Sequence, residues 1–278
     1  MTIVVTGATG HLGRLAIESL LAKGVPASEI VGLGRQVDKI ADLGITVKQV
    51  DYDDVDGLTE AFRGADKLLF VSGSEVGKRL PQHTNIVTAA KNAGVGLVVY
   101  TSAPKADTTD MKLATEHLAT ERLLADAGLP YVILRNSWYV ENYNVAQALE
   151  HGLFGAAGDG KIAGAPRADY AEAAASVLVG EGHEGQVYEL GGEPFTLTEL
   201  AAEISRQSGR TVTYTDLSEE KYVELLVGVG LPAAAAAIFA DSDRAASRGA
   251  LDVPSTDLER LLGRPATPLS SAIKSAMS

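Results

Sequence analysis

The chain predicts a doubly wound α/β fold with a smaller, mostly helical C-terminal lobe, and three observations carry that expectation. Short β-rich runs alternate with helical patterns from residue 2 to about 135. The runs are nearly continuous in apolar residues, as strands covered on both faces of a parallel sheet must be. The first run also turns through a glycine-rich bend straight into a helical pattern.

In order, the strands read TIVVT (2–6), EIVGLG (29–34), ITVKQVDY (45–52), KLLFVSG (67–73), LVVYTS (97–102) and YVILR (131–135). Helical patterns lie between them at 11–23, roughly 36–43, 55–63, 81–93 and 112–127. Six strands with five crossovers make a doubly wound sheet. After about Asn136 the rhythm changes. An aromatic and asparagine-rich stretch, NSWYVENYN, leads to a glycine-rich loop and then to mostly helical sequence. Asp169 with Glu172, and Thr196 with Glu199, each have capping-box spacing and mark two helix starts. QVYEL (186–190) is expected to add a strand to the sheet, and TVTYT (211–215) to belong to the second lobe. The expected division is 1–150 and 151–278, two lobes sharing an interface with a cleft.

Composition bounds what such a fold does. The 278 residues include no cysteine, which excludes disulfides, thiol catalysis and thiolate-held zinc or iron–sulfur clusters. A formal charge of -12 repels phosphate backbones, so no nucleic-acid partner is expected. Thr2 to Thr6 reads as a buried strand with no basic segment before it, so no signal peptide and a cytoplasmic location are expected. The weakly polar run GVGLPAAAAAIFA (228–240) is too short to span a bilayer and is interrupted by Pro232, so no membrane insertion is expected. The five histidines show no metal-ligand spacing, and no metal is expected.

The bend reads VTGATGHLG, with glycines at Gly7, Gly10 and Gly13. Gly7 permits the tight turn, Gly10 lets backbone approach a pyrophosphate, and Gly13 lets the helix pack close to the sheet. Amides at the start of that helix, and its dipole, favour phosphate charge. A strand before and a helix after are the context that a dinucleotide-binding (Rossmann) turn requires, which makes 1–150 the dinucleotide-binding lobe and 151–278 the substrate side. At the end of the second strand, where an NAD site places a carboxylate, the chain reads VGLGRQ, with Arg35 and no acid before Asp38. A guanidinium binds a 2′-phosphate that a carboxylate would repel, so NADP(H) is favoured; a merely solvated arginine is the plainer alternative.

GAAGDGKI (155–162) matches the first seven positions of a P-loop, but Ile162 stands where Ser or Thr would hold magnesium. It reads as a loop, not a nucleotide site. His117 shares a helical row with Leu113, Glu121 and Leu124, at the edge of a buried face. Two roles fit it: orienting substrate or relaying a proton with Glu121 fixing its tautomer, or packing as a half-buried histidine paired with Glu121.

At VTGATGHLG, SEVGKR, YTS, LPYVILRNSWYVENY, RADYAEAAA, GHEGQVYEL and the ADSD segment near 240, the chain resembles the atypical short-chain dehydrogenase/reductases of the NmrA-like group. It is most similar to the bacterial type 2 NAD(P)H:quinone oxidoreductases, and the triphenylmethane dye reductases are a second near group. The resemblance implies an NADPH-dependent, flavin-free reductase acting on a quinone or related planar electrophile; a monomer or homodimer is expected. By position it implies that Gly7, Ala8, Thr9, Gly10, His11 and Leu12 form the phosphate turn and that Arg35 meets the 2′-phosphate. It implies that the segment from Ser72 to about Arg79, with Ser74 and Glu75, lines the cofactor. Trp138, Tyr139, Glu141, Asn142 and Tyr143 would close over nicotinamide and quinone, helped by Arg167.

Flat aromatic faces beside the Asn142 amide suit a planar acceptor, though Trp138, Tyr139 and Tyr143 fit core packing as well. The wider superfamily's Tyr-x-x-x-Lys pair is absent after YTSAPKAD, and His117 stands at the lysine position. A quinone needs a proton donor less than a ketone does, so the loss agrees with that substrate. The expected catalytic set is His117, Asn142 and Tyr143. A non-catalytic NADP(H)-binding redox sensor, and a reductase of triphenylmethane dyes, stay open beside the quinone reading.

Overall fold

The computed structural model describes residues 1–75 and 77–277. Its strands are β1 (Ile3–Val5), β2 (Ile30–Gly34), β3 (Thr46–Gln49), β4 (Lys67–Phe70), β5 (Leu97–Ser102), β6 (Tyr131–Asn136), β7 (Leu153–Gly155), β8 (Val187–Leu190) and β9 (Tyr214–Asp216). The helices up to residue 179 are α1 (His11–Ala22), α2 (Val55–Phe62), α3 (Arg79–Ala93), α4 (Lys112–Ala127), α5 (Val145–His151) and α6 (Arg167–Val179). Beyond them come α7 (Leu197–Ser208), α8 (Glu219–Gly228), α9 (Ala233–Ala246), α10 (Thr256–Leu262) and α11 (Leu269–Ala276).

Seven strands form one sheet in the order β3-β2-β1-β4-β5-β6-β8, so QVYEL joins it beside β6 as expected. The chain direction of the strand order reverses between β1 and β4, and the crevice beyond those two strands is where doubly wound sheets bind ligands. β1, β2, β4, β5 and β6 are buried almost throughout, as their apolar runs require. β3 is different: it is an edge strand with exposed and half-exposed residues only. Leu58, Phe62, Leu68, Phe70, Ile86 and Tyr100 are at the centre of the core that α2, α3 and α4 build on one face. On the other face α1 packs against α6.

Strands β1 and β4 stop earlier than their apolar runs suggest. The amide of Val71 donates to Thr6 Oγ1 at 3.0 Å, and the amide of Ser72 donates to Thr101 Oγ1 at 3.0 Å. Threonine hydroxyls thus replace main-chain carbonyls as acceptors, and the ladder gives way to loops at the carboxyl ends of the strands.

Thr196 caps α7 with the full reciprocal box: its hydroxyl accepts from the Glu199 amide, and Glu199 returns to the Thr196 amide. The second expected cap is corrected. α6 begins at Arg167, so Asp169 lies inside its first turn and is buried. A carboxylate there is still on the favourable side of the helix dipole.

The chain forms two compact units, residues 1–102, 116–135 and 167–188 in one, and 103–115, 136–166 and 189–278 in the other. Within the second, β7 and β9 pair in parallel, α8 packs on α9 and α7 on α11. No helix of the described residues is long and apolar enough to cross a membrane.

Candidate nucleotide site and the residues around it

The turn after β1 is built as its glycines require. Gly7 sits at φ +59°, in the left-handed region that side chains avoid. A Cβ on Gly13 would overlap the Gly7 carbonyl and the Ala8 Cα, so glycine is what allows α1 to lie against the bend. Gly10 stands at the N-cap of α1 with no side-chain cap, and its own amide closes the turn onto the Gly7 carbonyl at 2.9 Å. The amides of the first helical turn therefore have no partner within the helix and point outward with the positive end of its dipole.

These residues face a cavity of about 750 Å³ at the carboxyl ends of β1, β2 and β4. Gly7, Thr9, Gly10, His11 and Leu12 line one side. Arg35, Ser72, Ser74, Glu75 and Arg167 also reach it. The cavity holds several residues that motif reading left out, among them Gln36, Lys39, Asp51 and Tyr52. Tyr52 is a cavity wall whose hydroxyl is pushed up by burial and eased by hydrogen bonding to Thr6 and Gly7. Nothing in the local sequence marks it, since it comes to the bend through the return of β3.

Of the residues assigned to the phosphate turn and the segment from Ser72 to Arg79, Ala8 and Arg79 lie elsewhere. Ala8 is fully buried, and its amide donates to the Leu33 carbonyl at 2.9 Å, so it fastens the bend to β2. Arg79 is buried in the first turn of α3. Its Nε donates to the Gly73 carbonyl at 2.8 Å and its Nη1 to Glu116 at 2.7 Å. It braces the loop between Ser72 and Ser74 from behind. Val76, inside the expected cofactor-lining segment, lies outside the described residues.

His117 falls within the buried stripe of α4, with Ala114, Thr120, Glu121 and Leu124, and not at its edge. Its Nδ1 meets the Tyr100 hydroxyl at 2.8 Å. The expected partner Glu121 is engaged otherwise: Arg135 donates to it through Nε at 3.0 Å and Nη2 at 2.7 Å, and Ser102 Oγ at 2.6 Å. A bidentate guanidinium is the stronger claimant on a buried carboxylate. Burial first, then the charge of Arg79 and the neighbouring His83, hold His117 well below the usual imidazole range, so its ring is neutral.

The aromatic stretch belongs to the second unit. Trp138 and Tyr143 are buried, Trp138 edge-on to Phe239 at 5.9 Å and Tyr143 edge-on to Phe195 at 6.5 Å. Tyr139 accepts from Asn136 Nδ2 at 3.3 Å. Glu141 is exposed and Asn142 half-buried, on the short 3-10 turn Val140–Asn142. Among the described residues, two buried polar atoms lack a hydrogen-bond partner: Tyr143 Oη and Asn136 Oδ1. Each such atom costs about 1–3 kcal/mol until something bonds to it.

The P-loop-like run is filled from within. The amides of Ala156, Ala157 and Gly158 donate to Asp243 (2.9 Å), the Tyr214 hydroxyl (3.2 Å) and Asp216 (2.9 Å). Its phosphate-shaped turn already holds the chain's own carboxylates. No group of three or more potential metal ligands occurs among the described residues.

A parallel sheet ordered 3-2-1-4-5-6, with an open glycine turn and a helix N-terminus at its switch point, defines a Rossmann-type nucleotide-binding class. The NmrA-like family model matches residues 1–253, and the chain belongs to that family. The chain is 54% identical over 278 residues to quinone oxidoreductase 2 of Escherichia coli (strain K12), covering 98% of this chain and 97% of the relative. A crystal structure of the Escherichia coli NADPH-dependent quinone oxidoreductase complexed with NADPH superimposes with a TM-score of 0.95 and 52% identity over all of both chains. Triphenylmethane reductase of Citrobacter sp., complexed with NADP(H), matches with a TM-score of 0.93 and 39% identity, covering 99% of this chain and all of that one.

Proposed function

We propose that this chain is an NADPH-dependent quinone reductase that transfers two electrons without a flavin. The observation that carries the reading is the near full-length likeness to quinone oxidoreductase 2 of Escherichia coli, joined to a cavity lined by the glycine turn and Arg35. The residues present fit NADPH. A turn with glycine at 7, 10 and 13 and a helix N-terminus receive the pyrophosphate, and Arg35 at the end of β2 supplies a cation for the 2′-phosphate. Bound there, NADPH supplies a hydride equivalent, and the protein's part is binding and orientation.

Trp138, Asn142 and Tyr143 are assigned to the acceptor. The partnerless hydroxyl of Tyr143 supports this, since a quinone oxygen is an acceptor it could satisfy. His117 is assigned a positioning role: a neutral imidazole held by Tyr100 steadies β5 against α4 and has no cationic proton to deliver. The likeness to the Citrobacter dye reductase favours one second reading, in which the acceptor is a triarylmethane cation.

The test follows NADPH absorbance with benzoquinone, a naphthoquinone and a cationic triarylmethane dye, with NADH in parallel. Turnover with the quinones is expected, and Arg35→Ala should weaken NADPH about tenfold or more while sparing NADH, the worth of a charge-assisted phosphate contact. Equal losses for both cofactors remove Arg35 from its role. No consumption of NADPH with any acceptor would make the protein a redox sensor.

A further inference from the structure

Arg35 is already engaged. Its Nη1 donates to Glu75 Oε1 at 2.8 Å, and Glu75 Oε2 lies 3.5 Å from Lys78 Nζ. Arg35 follows β2 and Glu75 follows β4, so the bridge joins two loops that flank the end of β1. Both side chains line the same cavity as the glycine bend.

We propose that Glu75 is an internal rival of the cofactor's 2′-phosphate for Arg35, and so sets how strongly the chain prefers phosphorylated over unphosphorylated dinucleotide. This rests on the reading of Arg35 given above. Glu75 takes one of the five N–H donors of the guanidinium, and its carboxylate, left beside a phosphate, repels it. Seating a 2′-phosphate on Arg35 therefore sets it against Glu75 for the Nη1 donor and the guanidinium charge, and opening the Glu75 bond relieves the repulsion. The phosphomonoester wins because it carries about -1.5 to -2 charges against one. Glu75 has somewhere to go, because Lys78 is already within ion-pair reach.

A dinucleotide with a plain 2′-hydroxyl asks for no exchange. It leaves Arg35 neutralised by Glu75, where a bare guanidinium would stand unpaired. Glu75 thus taxes the phosphorylated cofactor alone, and Lys78 lightens that tax. The size is bounded by exposure: the Arg35 side chain is 69% exposed and that of Glu75 32%. Exposed ion pairs of this kind shift equilibria by roughly two- to fivefold, less as salt rises.

The test is fluorescence titration of the full chain with NADPH and with NADH, for the unaltered protein, Glu75→Gln, Arg35→Ala, their double variant and Lys78→Ala. Expected for Glu75→Gln is NADPH binding about two- to fivefold tighter with NADH unchanged. That gain should vanish in the Arg35→Ala background and shrink at raised salt. Lys78→Ala should weaken NADPH and leave NADH alone. If Glu75→Gln weakens both cofactors, Glu75 is a ligand of the shared part of the dinucleotide and the proposal is wrong. It is also wrong if Glu75→Gln changes nothing while Arg35→Ala still separates NADPH from NADH. If Arg35→Ala fails to separate them, the reading of Arg35 itself falls and takes this proposal with it.

Discussion

The amide of Gly73 donates to Nε2 of His83 at 3.0 Å, inside the loop that lines the cavity beside the glycine bend. An acceptor at Nε2 fixes the ring proton on Nδ1, which faces Thr120 Oγ1 at 2.8 Å. His83 is fully buried, and burial with the charge of Arg79 takes it down to about 3. His83→Leu leaves the Gly73 amide without its acceptor, while Thr120 keeps its bond to the Glu116 carbonyl, and should cost about 1–3 kcal/mol of stability and loosen NADPH binding. Chemical denaturation and NADPH titration check both. His83→Gln keeps an acceptor and cannot titrate. The folded pKa lies below the unfolded value near 6.5, so the histidine's contribution is full above pH 6.5 and lost as pH falls toward 3. The glutamine variant should lose less stability than the parent across that window; equal losses would detach acid sensitivity from His83.

The glycine bend and the six strands of the first unit were legible because their causes are local. Apolar runs mark buried strands, and a turn at Gly7 needs only its own backbone freedom. The strand ends were not, because Thr6 and Thr101 end them from neighbouring strands, 65 and 29 residues away from the amides they receive. His117 shows the same limit. Its helical row points to Glu121, yet Tyr100, 17 residues back on β5, holds its ring. The glycine-rich run at 155–162 lacks the Ser or Thr of a P-loop. What its Ala156 amide donates to, the Asp243 carboxylate, lies 87 residues away and carries no local signal.

Glu121 and Arg135 form a pair whose side chains are 9% and 8% exposed, with Ser102 as a third partner. Removing Glu121 takes from the buried Arg135 guanidinium the carboxylate that holds it through two nitrogens. Glu121→Ala should therefore cost about 3–5 kcal/mol, read as a fall in denaturation midpoint. Replacing both residues by apolar side chains of similar volume should recover most of that loss. A single-variant cost below about 1 kcal/mol would mean that water reaches the guanidinium.

Gly13 is the least replaceable glycine of the bend. An added methyl would strike the Gly7 carbonyl and the Ala8 Cα, which are backbone and cannot swing aside. Gly13→Ala should destabilise the chain by about 1–3 kcal/mol despite the better helix propensity of alanine. It should also weaken NADPH and NADH alike, because the shared pyrophosphate turn is displaced. A loss confined to NADPH would contradict that account.

Asp243 gives the second unit the opposite response to acid. Its carboxylate is buried, accepts from the Ala156 amide and lies near Asp216, and burial raises it from 3.8 to about 7. The folded state holds this proton longer than the unfolded chain does. Its contribution is therefore full below about pH 3.8 and lost as pH rises to about 7. Asp243→Asn keeps an oxygen for the Ala156 amide and carries no charge. It should raise stability at pH 8 by an amount on the order of 3 kcal/mol and flatten the pH dependence below it. Hydrogen exchange at Ala156, Ala157 and Gly158 reads this directly, since those amides close on Asp243, Tyr214 and Asp216. Slower exchange at pH 8 in the variant is the expected result, and faster exchange would show that the loop depends on the charged carboxylate.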